Sequence, residues 1–160
     1  MAERADHSSA GDARTSVDPG APVVGSAEIE ITAPLERVWD VLTTLDRWPS
    51  WNPDVRSMSV SGDVVPGTEF RWKAGPGTIT STIRRVEPPT LIGWTGRTLG
   101  IRATHVYRLE GREGGTLVRS EESYEGLVAR VLRRPLRKTL DAALADGLRH
   151  LKLEAERRSP

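Results

Sequence analysis

Apolar positions recur every second residue in some stretches of the chain and every third or fourth in others. This contrast divides the chain into elements. In SAEIEITAP, Ala27, Ile29 and Ile31 alternate with Glu28, Glu30 and Thr32, the pattern of a half-buried strand. Pro34 then suits a first helical position. LERVWDVLTTL follows, with Leu35, Val38, Trp39, Leu42 and Leu45 at helical spacing. Asp46 is placed to cap a further short turn carrying Trp48.

From Asn52 the rhythm becomes that of strands. VRSMSV precedes the turn GDVVPG, and TEFRWKA puts Phe70 and Trp72 on one face. Gly75–Gly77 closes a hairpin onto TITSTIRRV, where a bulge must intervene if Val86 is to face inward with Ile79, Ser81 and Ile83. EPPT ends that strand, because proline cannot pair in a central strand. LIGWTG, IRATHVYRLE and TLVRSEESY complete the strand series, with GREGG as the last turn. Beyond Gly126 the chain reads as helical, and Pro135 marks a break or a fresh start. Leu136, Leu140, Ala143, Leu144, Gly147, Leu148 and Leu151 then form one apolar stripe on a long helix.

The order is strand, short helices, about six antiparallel strands and a long C-terminal helix. A sheet with one apolar face needs a cover, and only the last helix is large enough to supply it. The expected fold is α+β, a curved antiparallel sheet wrapped around that helix. Such a grip leaves a hollow, and Gly147 would keep the helix thin beside it.

Composition narrows the possibilities. Residues 1–24 are polar and rich in Ala, Asp, Ser and Gly, and are expected to form a disordered tail before a single domain at 25–158. The 160 residues carry 23 basic and 22 acidic side chains, a balance that speaks against nucleic acid as a partner. There is no cysteine and there are three histidines, so no metal or other cofactor is expected. No apolar run is long enough to cross a bilayer, and no secretory core opens the chain; a cytoplasmic monomer or homodimer is expected. GPGT lacks the lysine of a phosphate loop, and neither GxSxG nor GxGxxG occurs.

Four stretches carry a resemblance: ITAPLERVWDVLTTLDRWPSWNPDV, PGTEFRW, IRRVEPPTLIGW and LDAALADGLRHLKLEAE. Together, over about Ser26 to Glu156, they resemble the polyketide cyclase/dehydrase and lipid-transport family of the START-like (SRPBCC, helix-grip) superfamily. The resemblance implies an internal cavity for an apolar ligand. It also implies short helices at the cavity mouth, where Trp48 and Trp51 either plug the core or touch ligand. It carries no universal catalytic motif.

Alternation supplies the candidate lining: Phe70, Trp72, Ile79, Ser81, Trp94, His105, Tyr107 and Ser120, with Trp48 and Trp51 from the helices. Apolar and aromatic walls with a few polar groups are the usual make-up of a small-molecule site. His105 is either a satisfied core histidine or a ligand and proton-transfer group. With Leu109 opposite Thr116, His105 faces Ser120 and Glu122 lies diagonally from His105; a slip of one residue would turn Glu121 inward instead. His105, Glu122, Tyr107 and Tyr124 are the candidate acid/base residues.

Strand arginines read as outer-face charge, and the run ARVLRRPLRK, Ala129–Lys138, as a solvated helix face or a contact for an acidic partner or membrane surface. Three functions remain open. They are binding of a bulky hydrophobic or aromatic small molecule, polyketide cyclase or aromatase chemistry, and a protein-interaction module with a filled core.

Overall fold

The computed structural model describes residues 16–157. Most of the expected tail, residues 1–15, and residue 158 lie outside that range. Residues 16–22 lead into β1 (Val23–Ile31), so Val23 and Val24 belong to the sheet. Then come α1 (Leu35–Thr43), a 3-10 turn (Leu45–Arg47), α2 (Trp48–Trp51), β2 (Val55–Val60), β3 (Glu69–Ala74), β4 (Gly77–Glu87), β5 (Leu91–Thr98), β6 (Ile101–Arg112), β7 (Gly115–Glu125), α3 (Leu127–Val131) and α4 (Arg133–Glu156).

The strands form one curved antiparallel sheet in the order β1-β7-β6-β5-β4-β3-β2. From β2 to β7 consecutive strands pair, joined by an eight-residue loop between β2 and β3 and by connections of two or three residues thereafter. β1 closes the series against β7. α4 lies on the inner side, chiefly against β1 and α1. Its last turns are tied to the end of β1: Thr32 N–H donates to Glu156 Oε1 (2.7 Å) and Lys152 Nζ to the Glu30 carbonyl (2.7 Å). The Thr32 bond, with Lys152 adding to it, holds the Glu156 carboxyl below its ordinary range.

The periodic patterns hold, with local differences. Pro34 sits one residue before α1, where its carbonyl accepts from Val38 N–H (3.1 Å). The first helical pattern does not run on to Leu45. Thr43 and Thr44 hydroxyls bond back to the Trp39 and Asp40 carbonyls, a competition with the backbone that marks the end of α1. Asp46 makes no capping bond. Pro135 falls in the first turn of α4, where its missing N–H costs nothing, so the break lies just before it, at Leu132. Along the stripe, Leu140, Leu144, Leu148 and Leu151 are buried, whereas Ala143 is exposed. The bulge in β4 falls between Ile83 and Arg85, and it lets Val86 pack on the core.

The β6–β7 register differs from expectation by two residues. Arg112 pairs with Gly115, so Glu113 and Gly114 alone make the turn, with Gly114 at φ 79°. Leu109 therefore faces Val118, and His105 faces Glu122 directly rather than diagonally. A shift of two preserves the faces, so Glu122 remains inward and Glu121 outward. No described helix is long and apolar enough to span a membrane.

Candidate functional site

Burial along the inner face changes steadily from one end of the sheet to the other. Ile83, Ser81 and Ile79 on β4 go from fully buried to half-buried. On β6, Leu109, Tyr107 and His105 are buried, while Ala103 and Ile101 are half-exposed. On β7, Val118 and Ser120 are sealed, while Glu122 and Tyr124 are not. Phe70 is buried on β3 and Trp72 half-buried. The grip is thus closed at the α1 end and open at the end formed by the β3–β4 and β5–β6 turns and α3. His105 stands at the boundary.

The closed end is filled with rings. Trp48, from α2, is its hub: ring centroids lie 5.7 Å from Trp51, 5.9 Å from Trp72 and 5.9 Å from Trp94. Its indole N–H donates to the Leu42 carbonyl (2.9 Å), which satisfies its one polar atom. Trp94 also meets Phe70 at 5.6 Å and Tyr107 at 5.6 Å. Trp48 is therefore core, whereas Trp51 is half-buried and its Nε1, shielded from solvent, has no hydrogen-bond partner among the described residues. The expected hollow does not extend through the grip; side chains occupy its closed half.

A polar ladder crosses this aromatic wall. His105 stacks on Tyr107, with centroids 4.6 Å apart, and its Nε2 lies 2.7 Å from Ser120 Oγ. Its Nδ1 is buried without a hydrogen-bond partner among the described residues, 3.6 Å from Glu122 Oε2. That separation is too long for a hydrogen bond. Burial pushes His105 down to about 3 and Glu122 up to about 8. At neutral pH the pair is therefore a neutral imidazole beside a largely protonated carboxylic acid rather than an ion pair. Burial raises Tyr107 and Tyr124 above the ordinary phenol range, and the nearby Glu122 charge adds to both.

Ser81 is inward as expected and accepts from Trp72 Nε1 (3.1 Å). Gly96 is a lining position not singled out from the sequence. A Cβ there would stand 2.8 Å from Ser81 Oγ and 3.2 Å from Ile79 Cγ2, so only glycine leaves the Ser81–Trp72 bond undisturbed. A glycine inside a strand was the available signal. Across the grip, Gly147 is half-buried and a Cβ would meet no atom within 4 Å. The apolar stripe of α4 has its gap there. Among the described residues no group of three or more metal-ligating side chains occurs.

The architecture is that of a helix-grip, START-like protein. The family model for polyketide cyclase / dehydrase and lipid transport matches residues 22–156, and the chain belongs to that family. No curated protein matches the sequence. Among solved structures, the chain is similar to a hypothetical protein from Helicobacter pylori (TM-score 0.78, 14% identity, covering 88% of this chain and 96% of that one). It is also similar to a START superfamily protein from Mycobacterium smegmatis (TM-score 0.73, 14% identity, 83% and 97%). A third likeness is to the di-domain ARO/CYC StfQ of the steffimycin biosynthetic pathway (TM-score 0.70, 18% identity, 84% and 52%), of which this chain spans about half. At such identities these likenesses concern the fold.

Proposed function

We propose that the protein binds a bulky, largely aromatic small molecule bearing a carbonyl or hydroxyl group, held at the open end of the grip. The family supports a hydrophobic-ligand or polyketide-processing role. The observation that carries the finer reading is the unpartnered Nδ1 of His105, buried where the aromatic wall opens. A buried polar atom without a partner is costly, and a ligand group that reaches it recovers that cost. When Nε2–H donates to Ser120, Nδ1 offers a lone pair; in the other tautomer it offers a proton. The protonated Glu122 opposite supplies a donor for a carbonyl oxygen. Trp72, Ile79, Trp94 and Tyr124 supply apolar walls, and Gly147 leaves room on the helix.

Tryptophan fluorescence tests the reading. Titration with polycyclic aromatics, polyketide-like phenols and long-chain fatty acids should give saturable quenching by one of the first two classes, weakened in Trp72→Phe. Silence toward every class would overturn it in favour of a filled interaction module.

A second reading, cyclase or aromatase chemistry, draws on the His105–Glu122 pair itself. A neutral imidazole beside a neutral acid offers an acceptor for the proton leaving carbon and a donor to the carbonyl oxygen, the two halves of enolisation. The negative charge developing on the enolising ligand raises the imidazole basicity that burial lowers. His105→Phe should then abolish turnover of a poly-β-ketone while fluorescence-detected binding persists. Equal turnover in the variant would exclude His105 as the base.

A further inference from the structure

The open end of the grip is ringed by large apolar side chains that face solvent. Leu99 is 64% exposed, Leu127 74%, Val131 72% and Leu132 47%. They come from two elements that the fold brings together. Leu99 lies in the β5–β6 turn and the others on α3 and its C-terminal cap. A Cβ on Gly100 would touch Val128 Cγ2 at 3.1 Å, and one on Gly126 would stand 2.8 Å from the Gly100 carbonyl oxygen. The turn and the start of α3 are therefore in close contact.

Two features show that this surface is not arranged for stability. The first is the β5–β6 turn. Thr98 pairs with Ile101, so Leu99 and Gly100 are its only loop residues, with φ 46° and 75°. A turn with both residues in the left-handed region favours Asn-Gly. Leucine there is strained, and being exposed it gains little burial in return. The second is charge. Arg130, Arg133, Arg134, Arg137 and Lys138 are all exposed, and no acidic residue interrupts the run from Leu127 to Leu140. None of the five pairs with a carboxylate among the described residues. Arg133 and Arg134 occupy the first turn of α4, which holds no acidic residue, where the helix dipole disfavours cations. Arg133 with Arg137, and Arg134 with Lys138, repel one turn apart.

Exposed aliphatic side chains interleaved with unpaired arginines suit an interface that is apolar beneath and anionic above. From this geometry we infer that the open end of the grip docks on membranes rich in anionic phospholipid. Leu99, Leu127, Val131 and Leu132 enter the acyl boundary, while Arg130, Arg133, Arg134, Arg137 and Lys138 meet the phosphates. An acidic protein surface would satisfy the cations but not four exposed aliphatic side chains set among them. Docking there would place the mouth against the bilayer, so an apolar ligand could pass without crossing water. The docking itself does not depend on what the grip holds.

Flotation of the ligand-free, full-length chain with vesicles tests it. Binding is expected to phosphatidylcholine mixed with phosphatidylglycerol, to weaken as salt rises, and to be far weaker with phosphatidylcholine alone. Arg133→Gln with Arg134→Gln should cost about fivefold in partitioning per cation removed. Leu127→Ser with Val131→Ser should cost about tenfold or more. Leu99→Asn is the sharpest variant: it should weaken vesicle binding while raising the melting temperature, because asparagine tolerates the turn. No flotation with phosphatidylglycerol vesicles at low salt would overturn the inference. So would binding that the three aliphatic substitutions leave unchanged, which would reduce it to surface adsorption of the cations on lipid phosphates without insertion.

Discussion

His105 shares a short contact with Ser120, Nε2 to Oγ 2.7 Å, yet its other ring nitrogen is buried and unpartnered 3.6 Å from Glu122. One side of the imidazole is anchored and the other is available. Ser120 sets the ring's orientation, and Tyr107 stacks on it. One ring nitrogen is thus fixed by a hydrogen bond, while the other has no hydrogen-bond partner among the described residues.

Stability should follow these two titrations in opposite senses. His105 is lowered from 6.5 to about 3, so its contribution is present above 6.5 and is lost as pH falls toward 3. Glu122 is raised from 4.5 to about 8, so its contribution is present below 4.5 and is lost as pH rises toward 8. Between 4.5 and 6.5 the two slopes cancel, giving a plateau. Outside it stability falls toward pH 3 on the acid side and toward pH 8 on the alkaline side. Urea unfolding across pH should show the plateau, and Glu122→Gln should abolish the alkaline decline. A decline that persists in Glu122→Gln would locate the titrating group elsewhere.

Ser120→Ala should leave His105 with both nitrogens unpartnered. A cost of about 1–3 kcal/mol is expected, the usual penalty for an orphaned buried polar group. Chemical denaturation measures it. A cost near zero would mean that the ring reorients to Glu122.

Trp48 and Trp51 should behave differently. Trp48→Ala removes the hub of the ring cluster and the bond to the Leu42 carbonyl, at about 3–5 kcal/mol. Trp51→Ala removes a half-buried ring and should cost much less while altering ligand quenching. Equal destabilisation by the two would assign Trp51 to the core as well.

Gly147 offers a separation of binding from folding. Gly147→Ala should stabilise by about 1 kcal/mol through helix propensity, since no atom lies within 4 Å of the new Cβ. Gly147→Leu should keep the fold and fill the gap, so ligand titration should lose its quenching. Unchanged affinity in Gly147→Leu would place the ligand away from α4.

Gly96→Ala should act on the opposite wall. The methyl group displaces the Ser81 hydroxyl from Trp72 Nε1, with a cost of about 1–3 kcal/mol from overpacking. A shifted tryptophan emission maximum, alongside the denaturation midpoint, reads it out. An unshifted spectrum would mean that Ser81 moves without releasing Trp72.

The sequence by itself determined the element types, their order and which side chains face inward. Those follow from periods of two and near 3.6, which are local. Phe70, Trp72, Ser81, Trp94, His105, Ser120 and Glu122 all lie on the inner face because alternation survives even a register error of two. The bulge near Arg85 was legible from the same arithmetic. What lay beyond the sequence was long-range. Whether His105 meets Glu122 squarely or diagonally depends on a two-residue turn at Glu113–Gly114 rather than a longer one. Whether Trp48 lines a cavity or fills core depends on rings brought from β3 and β5. The exposed Leu99 joins α3 only because β5–β6 and the end of β7 converge at the open end of the sheet. Alternation fixes a side chain's face. Its neighbours, its burial and hence its protonation depend on which strands and helices arrive around it, and only the folded chain decides that.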